Sequence, residues 1–244
     1  MTQGELELQV GVAKVSKYAV NESGDTLEMV ERPLGGISLV MADGQRSGKS
    51  AKRISNLVVR KAISLLAEGV RDGAAARAAH DYLRLYRQGQ VSAELHIVSV
   101  DLVTRTIVVS RNSHCPVILL REDEIRMLEG SSRPIGIYAG TKPTIDELPI
   151  ADSTWLIACT DGIISAGQRY GASLDLLACA RTRLADEPSS AQTLADDILL
   201  EAMALDHGRP EDDMCVLVLA IRQSTQADPT RRMTVRFPLP PSEG

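Results

Sequence analysis

The chain has 244 residues, 44% hydrophobic and 24% charged, which suits one or two packed domains and is too apolar for a disordered chain. With 27 Lys and Arg against 32 Asp and Glu, a net charge of -5 and 3% aromatic residues, it lacks the basic tract and stacking platforms of a nucleic-acid binder. No run approaches about 18 apolar residues, and MTQGELELQV is not a secretory leader, so neither a membrane span nor export is expected.

Glu5 to Val15 alternates, with Leu6, Leu8, Val10 and Val12 on one face, and reads as a half-buried strand. A turn at Asn21 to Asp25 precedes a short strand, Thr26 to Val30. Gly35-Gly36 then launches the apolar run Ile37 to Ala42, which stops at Asp43-Gly44. From Ser47 the period becomes helical, with Ala51, Ile54, Leu57, Val58, Ala62, Leu65 and Leu66 on one stripe. A second, alanine-rich helix is expected from about Ala74 to Arg87. Residues 93–100, 106–110 and 115–120 are β-rich runs with short connections, which predicts antiparallel neighbours. Residues 129–149 are rich in Gly, Pro and Ser and read as irregular. Trp155 to Thr160 is a buried strand ending at Asp161-Gly162. Helices are expected at Ser173 to Ala185 and Ser189 to Leu205, and a final strand at Met214 to Ile221. Residues 1–222 therefore read as one domain, and 223–244 as a Pro-rich tail in which Met233 to Phe237 could add an edge strand. The fold class is α+β, a β-sandwich of antiparallel strands with helices packed outside it.

Cys115, Cys159, Cys179 and Cys215 lie far apart in the sequence and read as buried apolar side chains in a reducing cytoplasm. Carboxylates stand at the mouths of three apolar strands: Asp43-Gly44, Asp161-Gly162, and Asp212-Asp213 just before MCVLVL. Asp-Gly is also a common turn dipeptide, so any one of these sites alone reads as a turn. Three in one domain suggest anions aimed into one space, where they repel unless a cation neutralises them. Oxygen ligands without His or Cys suit a hard divalent ion, Mg²⁺ or Mn²⁺, and the Gly44 carbonyl could join them.

The ordered series Ser23-Gly24-Asp25, Ala42-Asp43-Gly44 with Ser47-Gly48, Asn112-Ser113-His114 with Pro116, Arg133-Pro134-Ile135-Gly136, Thr160-Asp161-Gly162 and Asp212-Asp213-Met214 resembles PP2C-type (PPM) metal-dependent protein phosphatases, in their bacterial SpoIIE-like branch. The resemblance implies two antiparallel sheets flanked by helices. It also implies two Mn²⁺ or Mg²⁺ ions, with Asp43 bridging them, the Gly44 carbonyl on one, and Asp161 and Asp212 completing the second site. Asp25 would sit near the metal waters, and Asp213 would orient the ligand shell. The implied reaction is hydrolysis of phosphoserine or phosphothreonine by a metal-activated water. Its protein substrate in this branch is often a STAS-type anti-anti-sigma regulator in a partner-switching pathway. Oligomeric state is not implied.

Where relatives carry a second glycine after Asp-Gly, this chain has Arg46, either a phosphate-binding guanidinium or a surface residue. His114 reads as a structural turn residue and His207 as a solvated loop residue. Two rivals stay open. One is a catalytically silent phosphatase fold that binds a regulatory partner. The other is a P-loop nucleotide hydrolase built on Gly44 to Ser50, although that loop has Asp43 where its first glycine belongs and would need a parallel sheet.

Overall fold

The period-2 segments form strands and the helical stripe forms a helix. In the computed structural model, β1 (Leu6–Val15), β2 (Asp25–Glu31) and β3 (Gly36–Gly44) lead into α1 (Gly48–Ala67) and α2 (Asp72–Tyr86). Next come β4 (Ala93–Asp101), β5 (Thr106–Asn112), β6 (Val117–Arg121), β7 (Glu124–Leu128) and β8 (Thr144–Pro149). The chain continues with β9 (Thr154–Cys159), the one-turn α3 (Asp161–Ile164), α4 (Leu176–Ala185), α5 (Ala191–Leu205) and β10 (Met214–Gln223). The structure describes residues 5–121, 124–130, 132–185, 189–224 and 230–239.

The strands make two five-stranded sheets, ordered β1-β10-β9-β6-β7 and β2-β3-β4-β5-β8. All strand pairs among the described residues are antiparallel. Between the sheets, Leu39, Met41, Val98 and Val109 meet Leu119, Leu156, Leu217 and Leu219. On the outer face of one sheet, Val40, Ala42, Leu95 and Ile97 pack against Val58, Ala62, Ala76 and Ala79 of α1 and α2. On the outer face of the other, Ile157, Val216 and Val218 pack against Leu194, Ile198 and Ala202 of α5. The layers are α-β-β-α, as expected. β3 is covered on both faces, which is why Leu39 to Ala42 reads as an unbroken apolar run. An antiparallel sandwich also excludes the P-loop reading, because that loop caps a parallel sheet.

At the end of the β2 sheet where β2 stops, Arg32 is buried with Asp72, the first residue of α2, at 3.2 Å. Arg32 also donates to Ser38 at 3.1 Å, Ser38 and Ser99 share a hydrogen bond of 2.6 Å, and the Ser99 hydroxyl donates to Asp72. This network ties the start of α2 to β3 and β4.

Three expectations fail for reasons visible in the packing. Residues 93–100, 106–110 and 115–120 do not form one meander. β4 pairs with β5, but the chain then changes sheet, and β6 pairs with β7 and β9. Ser113 to Pro116 make this crossing. Four residues reach about 13 Å, enough to span layers about 10 Å apart, so a short connection here joins layers and not neighbours. Residues 129–149 are not wholly irregular, because Thr144–Pro149 forms β8 at the edge beside β5. Its charges and proline are those of a guarded edge strand, and they hide it in the sequence. Finally, residues 230–239 form no strand. Met233, Val235 and Phe237 are exposed, so their alternation covers no sheet face.

All four cysteines are buried and unbridged. Among the described residues no helix is long and apolar enough to cross a membrane.

Candidate active site

Carboxylates from both sheets meet at one end of the sandwich. Asp25 opens β2 and stands opposite Asp43 of β3, and Glu94 of β4 stands opposite Asp43 on its other side. From the second sheet, Asp161 follows β9 and Asp212 precedes β10, and these two strands are paired. The Asp-Gly dipeptides work here through close approach. A Cβ on Gly44 would lie 2.2 Å from the carbonyl oxygen of Ala51 in α1, and one on Gly162 would lie 2.2 Å from that of Asp213. Only glycine lets these backbones meet.

Hydrogen bonds hold the acids in place across the two layers. Thr160 Oγ1 donates to Asp25 Oδ2 at 2.9 Å and accepts from the Cys215 amide at 3.0 Å, joining the second sheet to the first. Asp213 accepts from the Lys17 amide at 2.9 Å and the Gly24 amide at 2.7 Å, which fastens the β1–β2 turn beside β10. The ammonium groups of Lys14 and Lys52 both donate to the Asp25 carbonyl, at 2.5 and 2.7 Å. Burial, followed by the nearby Lys14 charge, lowers the Lys52 pKa. Asp25 Oδ1 is buried without a hydrogen-bond partner.

The electrostatics show that the acids converge. Burial, then the charges of Asp25, Asp161, Asp212 and Glu94, push Asp43 up to about 10. Burial also raises Asp25 to about 7, with Asp213 and Asp161 adding to the effect while Thr160 and Lys14 oppose it. Asp161 is open to solvent on one side, yet its pKa too is raised, by the protein mass around it and then by Asp212 and Glu94. Glu94 goes the other way. Burial pushes it up, but hydrogen bonds from Ser113 and His114 outweigh burial and hold it below the usual carboxylate range.

The donor set fits a hard divalent cation in charge and in chemistry: carboxylate oxygens, a backbone carbonyl at Gly44 and the orphaned Asp25 Oδ1. The fit does not extend to coordination distance. Among the described residues no three Asp, Glu, His or Cys groups are gathered tightly enough to enclose an ion. Asp43 and Asp161 are near enough to share a side-chain hydrogen bond.

The family model for stage II sporulation protein E matches residues 33–222. The chain belongs to the SpoIIE family. Stage II sporulation protein E of Priestia megaterium is 22% identical over 219 residues, covering 89% of this chain and 37% of that protein, so this SpoIIE-family chain spans little more than a third of the relative. A solved structure of the PP2C phosphatase domain and a regulatory-domain fragment of SpoIIE from Bacillus subtilis matches with a TM-score of 0.75 at 23% identity, over 89% of this chain and 64% of that one. The catalytic domain of the serine/threonine phosphatase PstP, in complex with 2 manganese ions, matches with a TM-score of 0.66 at 15% identity, over 89% of this chain and 100% of that one. The SpoIIE-family chain thus carries the fold of PP2C-type serine/threonine protein phosphatases.

Of the residues singled out in the sequence, Asp25, Asp43, Asp161 and Asp212 lie together, and Gly44 closes β3 beside them. Arg46 is exposed, with φ of +79°. His207 is stacked on Tyr170, with ring centroids 4.1 Å apart. Sequence reasoning missed Glu94 and Thr160 as members of the site. Thr160 lay inside the Thr-Asp-Gly motif, a signal that was available, whereas Glu94 acts only through its pairing opposite Asp43.

Proposed function

We propose that this SpoIIE-family chain is a metal-dependent phosphatase that hydrolyses phosphoserine or phosphothreonine on a protein. The observation that carries this reading is the convergence of Asp25, Asp43, Asp161 and Asp212 from two sheets, with Asp43 raised to about 10 by burial and then by these neighbours and Glu94. In this reading two Mn²⁺ or Mg²⁺ ions would be held by Asp43, the Gly44 carbonyl, Asp161 and Asp212, with the unpartnered Asp25 Oδ1 available to the same site. When bound, such cations acidify the attacking water and neutralise phosphoryl oxygens. The chain's own groups supply the placement. Thr160 fixes Asp25, Asp213 fastens the β1–β2 turn, the close contact at Gly44 seats the end of β3 against α1, and that at Gly162 holds Asp161 beside Asp212 and Asp213. The substrate we assign is a STAS-type anti-anti-sigma regulator, the partner class of this branch, in the cytoplasm, where four free buried thiols are at home.

The test is turnover of p-nitrophenyl phosphate by the purified chain with and without Mn²⁺. We expect activity that requires the ion and disappears with a chelator. A second reading, a silent member that only binds a regulatory partner, is favoured by the absence of a three-ligand cluster at coordination distance among the described residues. Absence of metal-stimulated turnover would select it.

Arg46 is assigned to substrate binding. A non-glycine residue at positive φ costs about 1 kcal/mol or more, and such strain is commonly kept where a side chain has work to do. Arg46→Gly is expected to raise stability by about 1 kcal/mol. It should also raise KM for a phosphoprotein several-fold, because a bidentate donor to phosphate is lost. Thermal melts and steady-state kinetics on the same preparation check both, and a KM equal to that of the parent would make Arg46 a surface residue.

A further inference from the structure

Resting on that reading of the site, we infer that His114, held by Glu94, is the general acid that protonates the departing serine or threonine oxygen. His114 lies in the crossing between the sheets, and its side chain is 70% exposed. Its Nδ1 is 2.7 Å from Glu94 Oε1. The His114 amide donates to the same oxygen at 3.3 Å, and the Ser113 hydroxyl donates to Oε2 at 2.5 Å. Ser113 Oγ in turn accepts from the Cys115 amide at 2.9 Å, which shapes the turn. Glu94 stands opposite Asp43, and its charge acts on both Asp43 and Asp161. One carboxylate therefore borders the acid cluster and grips an imidazole.

A carboxylate accepts only, so Nδ1 carries the hydrogen of this contact, and in the imidazolium form Nε2 carries the second, transferable proton. The arrangement fixes the ring without burying its outer nitrogen. It answers a need of the proposed chemistry, because a serine alkoxide is a poor leaving group unless it is protonated as it departs. Water adds to phosphorus and the bond between phosphorus and the seryl oxygen breaks, its electron pair staying on that oxygen. The Nε2 proton passes to the same oxygen. The attacking water releases a proton to solvent, and the imidazole regains one from solvent, so the sum is ester plus water to alcohol plus phosphate. Glu94 is a positioning residue and Ser113 supports it.

The test compares two substrates on the Mn²⁺-loaded full chain: a phosphoserine peptide, which leaves as an alkoxide, and p-nitrophenyl phosphate, whose phenolate departs with little need of a proton. His114→Asn keeps an amide N–H for Glu94 in place of Nδ1 and lacks a donor at the Nε2 position. We expect kcat on the peptide to fall about 100-fold or more, with a loss on the aryl phosphate at least tenfold smaller. Glu94→Gln should shift the ratio of the two rates the same way, and added imidazole should restore part of the peptide rate in His114→Asn. A purely structural latch would lower the melting temperature and both rates by one factor. His114→Gln serves as the second variant if the asparagine protein melts early. Equal losses on the two substrates, or an undiminished peptide rate, would overturn the assignment. A parent chain inactive on both substrates would instead remove the phosphatase reading itself, and this role with it.

Discussion

Replacing Asp43 by asparagine is expected to end metal-stimulated hydrolysis and, in the same protein, to raise the melting temperature measured without metal. The two effects have one cause. Asp43 is the carboxylate most strongly opposed by its surroundings, through burial and four acidic neighbours. In the proposed reading a divalent ion would lose a ligand with this charge, and turnover should fall about 1,000-fold or more, some 4 kcal/mol of transition-state stabilisation. In the metal-free chain the same charge is a burden. Asp43 ionises near 3.8 when unfolded and at about 10 in the fold, so between those values the folded chain keeps a proton that the unfolded chain has lost. Stability therefore falls as pH rises through this window, and asparagine, which cannot ionise, escapes the loss. The gain should be on the order of 1–3 kcal/mol at neutral pH and vanish towards pH 4. Each kcal/mol corresponds to about 2–4 °C for a chain of this size. His96, held at about 4 by burial, has the opposite sign between its two values. Comparing variant with parent at each pH cancels that contribution. A variant that melts below the parent at neutral pH, or that still gains the parent's Mn²⁺-induced shift, would contradict the account.

The second large effect lies at the far end of the same sheet. The side chains of Arg32 and Asp72 are both less than a tenth exposed, so Arg32→Ala would strand a buried carboxylate that, among the described residues, only the Ser99 side chain still meets. We expect a loss of about 3–5 kcal/mol in urea unfolding, a large share of the roughly 5–15 kcal/mol that holds a typical domain together. The double variant Arg32→Met/Asp72→Asn should lose clearly less than Arg32→Ala, because it leaves no unpaired charge inside. A single-variant loss below about 1 kcal/mol would show that Asp72 finds water or another partner.

Much of this architecture was legible in the sequence because burial imposes a period. The alternation from Leu8 to Val12 and the stripe from Ala51 to Leu66 each describe a covered face, although Leu6 is exposed and the other face of β1, at Gly11 and Ala13, is also buried, under α5. The acids were legible for a related reason: an apolar run that halts at Asp-Gly marks where a strand leaves the core. Pairing was not legible. Glu94 belongs to the site because β4 aligns it with Asp43, and no local pattern encodes that alignment. The grip of Glu94 on His114 was hidden further, since a short connection after β5 reads as a hairpin and is in fact a passage between layers. β8 was missed because its alternation is interrupted by Asp146, Glu147 and Pro149, residues that suit an unprotected margin.

Asp25 and Asp43 ride on one sheet, and Asp161 and Asp212 stand just beyond the ends of strands of the other, with an oily layer of Leu39, Met41, Leu156 and Leu217 between the sheets. The gap across the carboxylates is therefore a caliper for the thickness of that layer. A cation seated there would clasp the two leaves at their rim. A substitution that swells the oily filling well away from any acid would then be felt first as weaker grip on the ion.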